Sequence, residues 1–203
     1  MLQTFTVEES TLVLLKRLEE IPLFERLRLV GGTSLALQLG HRHSIDLDFF
    51  GDIEATHNEI YNELTKYGFD VYSRHITSRI HIFNIDGVKV DIVNYPYEWI
   101  EPVFETENIR LASLKDIIPM KLEAITNRGT KKDFIDIYFL LQHFSLEQML
   151  HFYEIKYTKG SPFNVIRSLS YFKDAEEDPM PKMFIPIEWR NVKSTIKDVI
   201  EQL

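Results

Sequence analysis

Two aspartates separated by one leucine, Asp46-Leu47-Asp48, sit inside a short run, Ile45 to Phe50, that reads as a β-strand. On a strand, positions i and i+2 face the same side, with backbones roughly 6.5–7 Å apart. Leu47 then turns toward a core while both carboxylates share the opposite face. Carboxylates this close raise each other's pKa and destabilise the chain unless positive charge stands between them. A hard, oxygen-seeking divalent cation, Mg²⁺ or Mn²⁺, removes that penalty. The plainer alternative is an exposed strand end carrying two solvated aspartates.

A third acid narrows the choice. In Val88-Lys89-Val90-Asp91-Ile92-Val93, the residues Val88, Val90 and Ile92 form one apolar face and Asp91 stands on the other. A charge in so apolar a strand is unusual unless it is paired or coordinating. If this strand runs beside that of Asp46, three carboxylates can hold two cations about 4 Å apart, the arrangement for in-line phosphoryl transfer. The alternative is that Asp91 pairs with Lys89 or Arg79 on an exposed face.

The segment before Asp46 supplies a second component. Arg26 to Val30 alternates like a half-buried strand, Gly31-Gly32 ends it, and Thr33 to Leu39 reads as a short apolar helix stopped by Gly40. Two glycines let backbone approach a ligand, and the helix start offers N–H groups to an anion, with the Thr33 and Ser34 hydroxyls as further donors. No lysine follows at Walker A spacing. A tight turn alone would explain the glycines equally well.

The rest of the chain reads as helices near 11–20 (Ser10 as cap) and 58–67, and strands at 69–74, 80–85 and 88–94, with Asp86-Gly87 as a hairpin turn. Beyond these come helical stretches at 114–118, 120–127, 132–144, 145–157, 161–172 and 188–202, and Pro119 suits a helix start. The acidic, proline-containing stretch 174–181 reads as a loop. Hydrophobic residues make up 44% of the 203, enough to fill a core, and cysteine is absent, which excludes disulfides and thiolate chemistry. The net charge of −8 argues against broad nucleic-acid binding, though not against a local basic patch. Neither a signal peptide nor a membrane-length apolar run is visible, so a cytoplasmic protein is expected.

The Gly-Gly-Thr turn, the short helix and His41-Arg-His-Ser-Ile-Asp-Leu-Asp-Phe-Phe50 together resemble the AbiEii/AbiGii nucleotidyltransferase toxin family, within the DNA polymerase β-like superfamily. The resemblance continues at Lys121-Leu-Glu-Ala-Ile-Thr-Asn-Arg128 and Lys132-Asp133-Phe-Ile-Asp136-Ile, covering roughly residues 25–145. Gly32-Thr33 stands where many superfamily members have Gly-Ser, one hydroxyl for another.

The resemblance implies an α/β (α+β) nucleotidyltransferase fold: a mixed sheet flanked by helices in 1–110, and a helical part, 111–203, completing the cleft. It implies metal binding by Asp46, Asp48 and Asp91, and nucleotide phosphates near Gly31, Gly32, Thr33, Ser34, Arg42, Ser44 and Lys121. Asp133 or Asp136 would support that lysine or act near the acceptor; a surface ion-pair network is the alternative for both, with equal weight for Asp136. Lys121 and Arg128 share a helical stripe and can face one cleft.

The implied reaction transfers a nucleoside monophosphate from an NTP to tRNA or protein, in a toxin with a cognate antitoxin or a phage-defence role. A tRNA acceptor needs a basic surface, for which Arg74, Arg79, Lys131, Lys132, Lys156, Lys159 and Arg167 are the candidates. A non-catalytic nucleotide- or partner-binding module and a metal-dependent phosphohydrolase are the competing classes. His41 and His43 are expected near the nucleotide or on the surface rather than on a metal. Tyr95, Tyr97 and Trp99 are expected to pack against the C-terminal helices rather than stack on a base.

Overall fold

The computed structural model describes residues 1–203. Two compact units form. Met1–Gln38, Ser44–Pro96 and Val103–Ala112 make the first; Leu39–His43, Tyr97–Pro102 and Ser113–Leu203 make the second.

The first unit is built on one seven-stranded mixed sheet in the order β3-β4-β5-β2-β1-β7-β6. Its strands are β1 (Leu27–Val30), β2 (Leu47–Gly51), β3 (Val71–Ile76), β4 (Ile80–Ile85), β5 (Val88–Asn94), β6 (Phe104–Thr106) and β7 (Ile109–Leu111). β2 runs parallel to β5 and antiparallel to β1, which places both candidate acid strands side by side in mid-sheet. Helices α1 (Glu9–Glu19), α2 (Gly31–Leu39) and α3 (His57–Lys66) accompany the sheet. Leu15, Leu18, Phe24, Leu29, Leu47, Phe49, Leu64 and Phe83 are among its fully buried core residues. Helix α3 starts at a full capping box, Thr56 with Glu59.

Strands β6 and β7 are an addition to the sequence reading. They are three residues each, and their turn uses Glu107 and Asn108 at φ 53° and 61° rather than glycine. Asparagine tolerates that region; glutamate gives no signal for it.

Five helices make the second unit: α4 (Leu114–Asn127), α5 (Lys131–Leu140), α6 (Leu146–Lys156), α7 (Pro162–Leu169) and α8 (Trp189–Glu201). Helix α4 packs against α5, α6 and α7. It is continuous through Pro119, which does not start a helix. The start is fixed earlier, where Ser113 Oγ accepts the Asp116 N–H at 3.1 Å. An interior proline costs roughly 3 kcal/mol, and burial of Ile117, Ile118, Leu122 and Ile125 around it offsets that.

Two buried lysines organise the loops of this unit. Lys156 Nζ meets Asp116 Oδ1 at 2.9 Å and the Glu98 carbonyl at 2.8 Å, while Asp116 also accepts the Ile100 N–H. Lys131 Nζ donates to the carbonyls of Glu176 and Asp178 in the acidic loop. Neither lysine therefore belongs to a basic surface, because each is consumed in closing a loop. Tyr97 packs edge-on to Tyr157 at 4.8 Å, and Trp99 lies under the Lys156 ammonium. No helix is long and apolar enough to cross a membrane.

Candidate active site

In the first unit, the burial pattern of β2 alternates: Leu47 and Phe49 are buried, Asp48 and Phe50 half-buried. In β5, Val90 and Ile92 are buried and Asp91 is half-buried. Asp48 and Asp91 are direct register partners on these parallel strands, so their side chains rise from the same face. Asp46 lies two positions before Asp48, in the chain that leads into β2.

Asp91 is only half satisfied. Its Oδ2 takes the Lys89 ammonium at 2.6 Å, while its Oδ1 is buried with no hydrogen-bond partner. Lys89 pairing and the shared face with Asp48 thus both hold in the same structure. A buried carboxylate oxygen without a donor is unfavourable by about 1–3 kcal/mol, and a hard cation is the chemistry that would relieve it. The all-oxygen donor set of Asp46, Asp48 and Asp91 fits Mg²⁺ or Mn²⁺ on that ground. No group of three His, Asp or Glu residues is gathered closely enough to form a ready metal cage.

The glycine turn serves these acids more than it serves a ligand. Gly31 has φ +69°, and a Cβ there would overlap Asp48 Oδ2 and stand 2.9 Å from its Cγ. Only glycine leaves room for that carboxylate. Thr33 and Ser34 are fully buried, which corrects their expected role as outward-facing donors. Thr33 Oγ1 donates to the Asp46 carbonyl and lies 2.9 Å from Ser44 Oγ; Ser34 Oγ accepts from Gln38 Nε2 at 3.1 Å. Thr33 thereby pins the Ser44–Asp46 segment to α2, while Ser34 bonds within the helix, because both positions face inward. A helix start leaves its first backbone N–H groups without intrahelical partners.

In the second unit, Lys121 is buried between two carboxylates, 2.6 Å from Asp136 Oδ2 and 3.4 Å from Asp133 Oδ1. Asp136 is fully buried and takes a two-pronged contact from Arg42, Nε to Oδ1 at 2.7 Å and Nη2 to Oδ2 at 2.8 Å. His41 Nε2 lies 2.9 Å from the same Oδ1. Burial pushes the Asp136 carboxyl up, but Arg42, Lys121 and His41 overcome it and hold it well below the usual range. Asp133 is likewise raised by burial and then brought down to about 2 by Arg128, Lys121 and Thr130.

This geometry revises four expectations. Arg42, expected beside the triphosphate, has its guanidinium committed to Asp136 with 3% exposure. Asp133 and Asp136 are buried, not members of a surface network. His41 is buried, and burial lowers its pKa. Arg128 lies just past α4 and reaches Asp133 at 2.9 and 3.0 Å. Thr130, which donates to Asp133 Oδ2 at 2.5 Å, went unread in the sequence; the Thr-x-x-Asp spacing at a helix start was its only signal.

The family model described as "Nucleotidyl transferase AbiEii toxin, Type IV TA system" matches residues 13–201. The chain is similar to the uncharacterized protein aq_aa25 of Aquifex aeolicus, 32% identical over 182 residues, covering 86% of each chain. Among solved structures, it is similar to JHP933 from Helicobacter pylori, with TM-score 0.61 and 19% identity over 97% of this chain and 92% of that one. It is also similar to the nucleotidyltransferase toxin MenT4 of Mycobacterium tuberculosis, with TM-score 0.57 and 14% identity over 94% and 82%. At these identities the structural likenesses establish the nucleotidyltransferase-like α/β fold.

Proposed function

We propose a function from one premise: the chain belongs to the AbiEii nucleotidyl transferase toxin family. The proposed reaction moves a nucleoside monophosphate from an NTP to tRNA or protein and releases pyrophosphate. Asp46, Asp48 and Asp91 would hold a divalent cation, Mg²⁺ or Mn²⁺, which when bound neutralises them and stabilises charge on the triphosphate and the attacking oxygen. The N–H groups of the Gly31-Gly32 turn orient phosphate. Lys121, held by Asp133 and Asp136, would be the phosphate-contacting cation of the second unit, and a carboxylate outside that ion-paired cluster would take the acceptor proton. In the cell the protein acts as a toxin, restrained by an antitoxin or serving phage defence.

The observation that carries this reading is the in-register pair Asp48 and Asp91, with one Asp91 oxygen buried and unbonded. The test is incubation with α-³²P-labelled NTPs, Mg²⁺ and total tRNA beside an Asp48→Ala variant. Labelled RNA or protein that disappears in the variant supports transfer. A second reading, a nucleotide-binding module without chemistry, is favoured by Lys89 sitting on Asp91. It predicts bound NTP with no labelled acceptor, and a phosphohydrolase predicts NTP loss without label.

A further inference from the structure

The second unit contains a cavity of about 750 Å³ that the transfer reading does not use. Arg128, at the end of α4, and Arg167, on α7, both line it. Asn164, one helical turn before Arg167, and Ser168, the residue after it, also line the cavity, and Tyr171, just past the end of α7, is 52% exposed. Asp174 is the one acid in the lining.

Charge around the cavity is unbalanced in one direction. Arg128 also grips Asp133, which belongs to the buried cluster of Arg42, Lys121 and Asp136. In the cavity lining, two guanidiniums, Arg128 and Arg167, stand with one carboxylate, Asp174, in a chain whose net charge is −8. Guanidinium groups pair with the oxygens of phosphate in a planar fork. The hydroxyl and amide donors beside Arg167 suit the remaining phosphate oxygens, and an exposed tyrosine offers a face on which a base can stack.

We infer that this cavity is a second phosphate-binding site, taking the phosphate ester of a nucleotide or of a nucleic-acid strand between Arg167 and Arg128 with its base against Tyr171. It shares no lining residue with the Gly31-Gly32 turn and needs no metal. Through Arg128, a ligand here touches the carboxylate that helps to hold Lys121.

The test is binding in EDTA, which silences the metal-dependent site of the first unit. The probes are a fluorescein-labelled single-stranded RNA octamer, read by anisotropy, and AMP, read by calorimetry. The variants are Arg167→Glu and Tyr171→Ala, both at exposed side chains, with Lys159→Glu as a charge-matched control outside the cavity. Arg167→Glu is expected to weaken binding at least about tenfold and to reduce the salt slope by about one, with Lys159→Glu changing it less than twofold. Loss of both ligands assigns the site to a single phosphate ester, and loss of the strand alone assigns it to a nucleic-acid backbone. Equal binding by Arg167→Glu and wild type, or equal loss in Lys159→Glu, overturns the inference. Because Asp48→Ala leaves the cavity untouched, retained RNA binding by that variant separates failure of this site from failure of the transferase reading.

Discussion

The two units treat carboxylates withdrawn from solvent in opposite ways. In the second, Asp133 and Asp136 are surrounded by Arg42, Lys121, Arg128, His41 and Thr130, and their pKa values fall despite burial. In the first, Asp48 and Asp91 lie side by side in mid-sheet, and one Asp91 oxygen has nothing to accept. Completed ion pairing fixes a fold; charge left incompletely paired on a rigid sheet is where a ligand's charge can act. On this comparison, we propose that the Asp136 cluster is framework around Lys121 and that the Asp48–Asp91 pair carries the chemistry.

Asp136→Asn is the strongest way to break that division. It leaves Arg42 without its carboxylate contact and Lys121 with Asp133 alone at 3.4 Å in a buried site, so unfolding in urea is expected to show a loss of about 3–5 kcal/mol. An unchanged midpoint would move Asp136 out of the framework. Asp48→Ala should do the reverse: melting close to wild type, with labelled-NTP transfer reduced about a hundred- to a thousandfold.

Gly31→Ala tests whether the turn exists for the acid. Its strained φ and the overlap with Asp48 are expected to cost about 1–3 kcal/mol and to abolish transfer together with metal binding. Lys89→Met removes the ammonium that occupies Asp91 Oδ2. Mn²⁺ binding, followed by calorimetry, should tighten about tenfold if amine and metal compete; weaker binding would make Lys89 a helper instead.

The smallest effect expected is on pH dependence. In the first unit His57 and His81 have ring centres 5.5 Å apart; burial lowers both pKa values, and His57 lowers that of His81 further. The unfolded chain therefore binds more protons below about pH 6.5. Stability is complete above that value and declines as pH falls from it toward the lowered folded values. Replacing His81 with glutamine should flatten that decline in a thermal-melt series. Asp133 behaves oppositely in range: its contribution is present above about pH 3.9 and is lost only as pH falls through about 2.

Much of the first unit was legible in the chain. The alternation of Leu47 and Phe49 with Asp48, and of Val90 and Ile92 with Asp91, identifies two strands and the faces of their acids, because strand periodicity is local. Asp86-Gly87 likewise gave the β4–β5 hairpin, whose positive-φ residues are visible in the sequence. The β6–β7 hairpin was not legible, because Glu107 and Asn108 turn without glycine. Continuity of α4 through Pro119 was also hidden, since neighbouring burial rather than local preference decides it.

The sequence by itself determined which residue types could bind metal and phosphate, and that Leu47 and Asp48 face opposite sides of a strand. It could not determine pairing between residues distant in the chain. That Asp91 stands level with Asp48 is decided by β2–β5 register. That Arg42 is consumed by Asp136, 94 positions away, is decided by packing. The glycine at position 31 shows both levels at once. A turn needs its positive φ, which the sequence announces, but the reason no side chain fits there is the Asp48 carboxylate, which only the folded sheet brings against it.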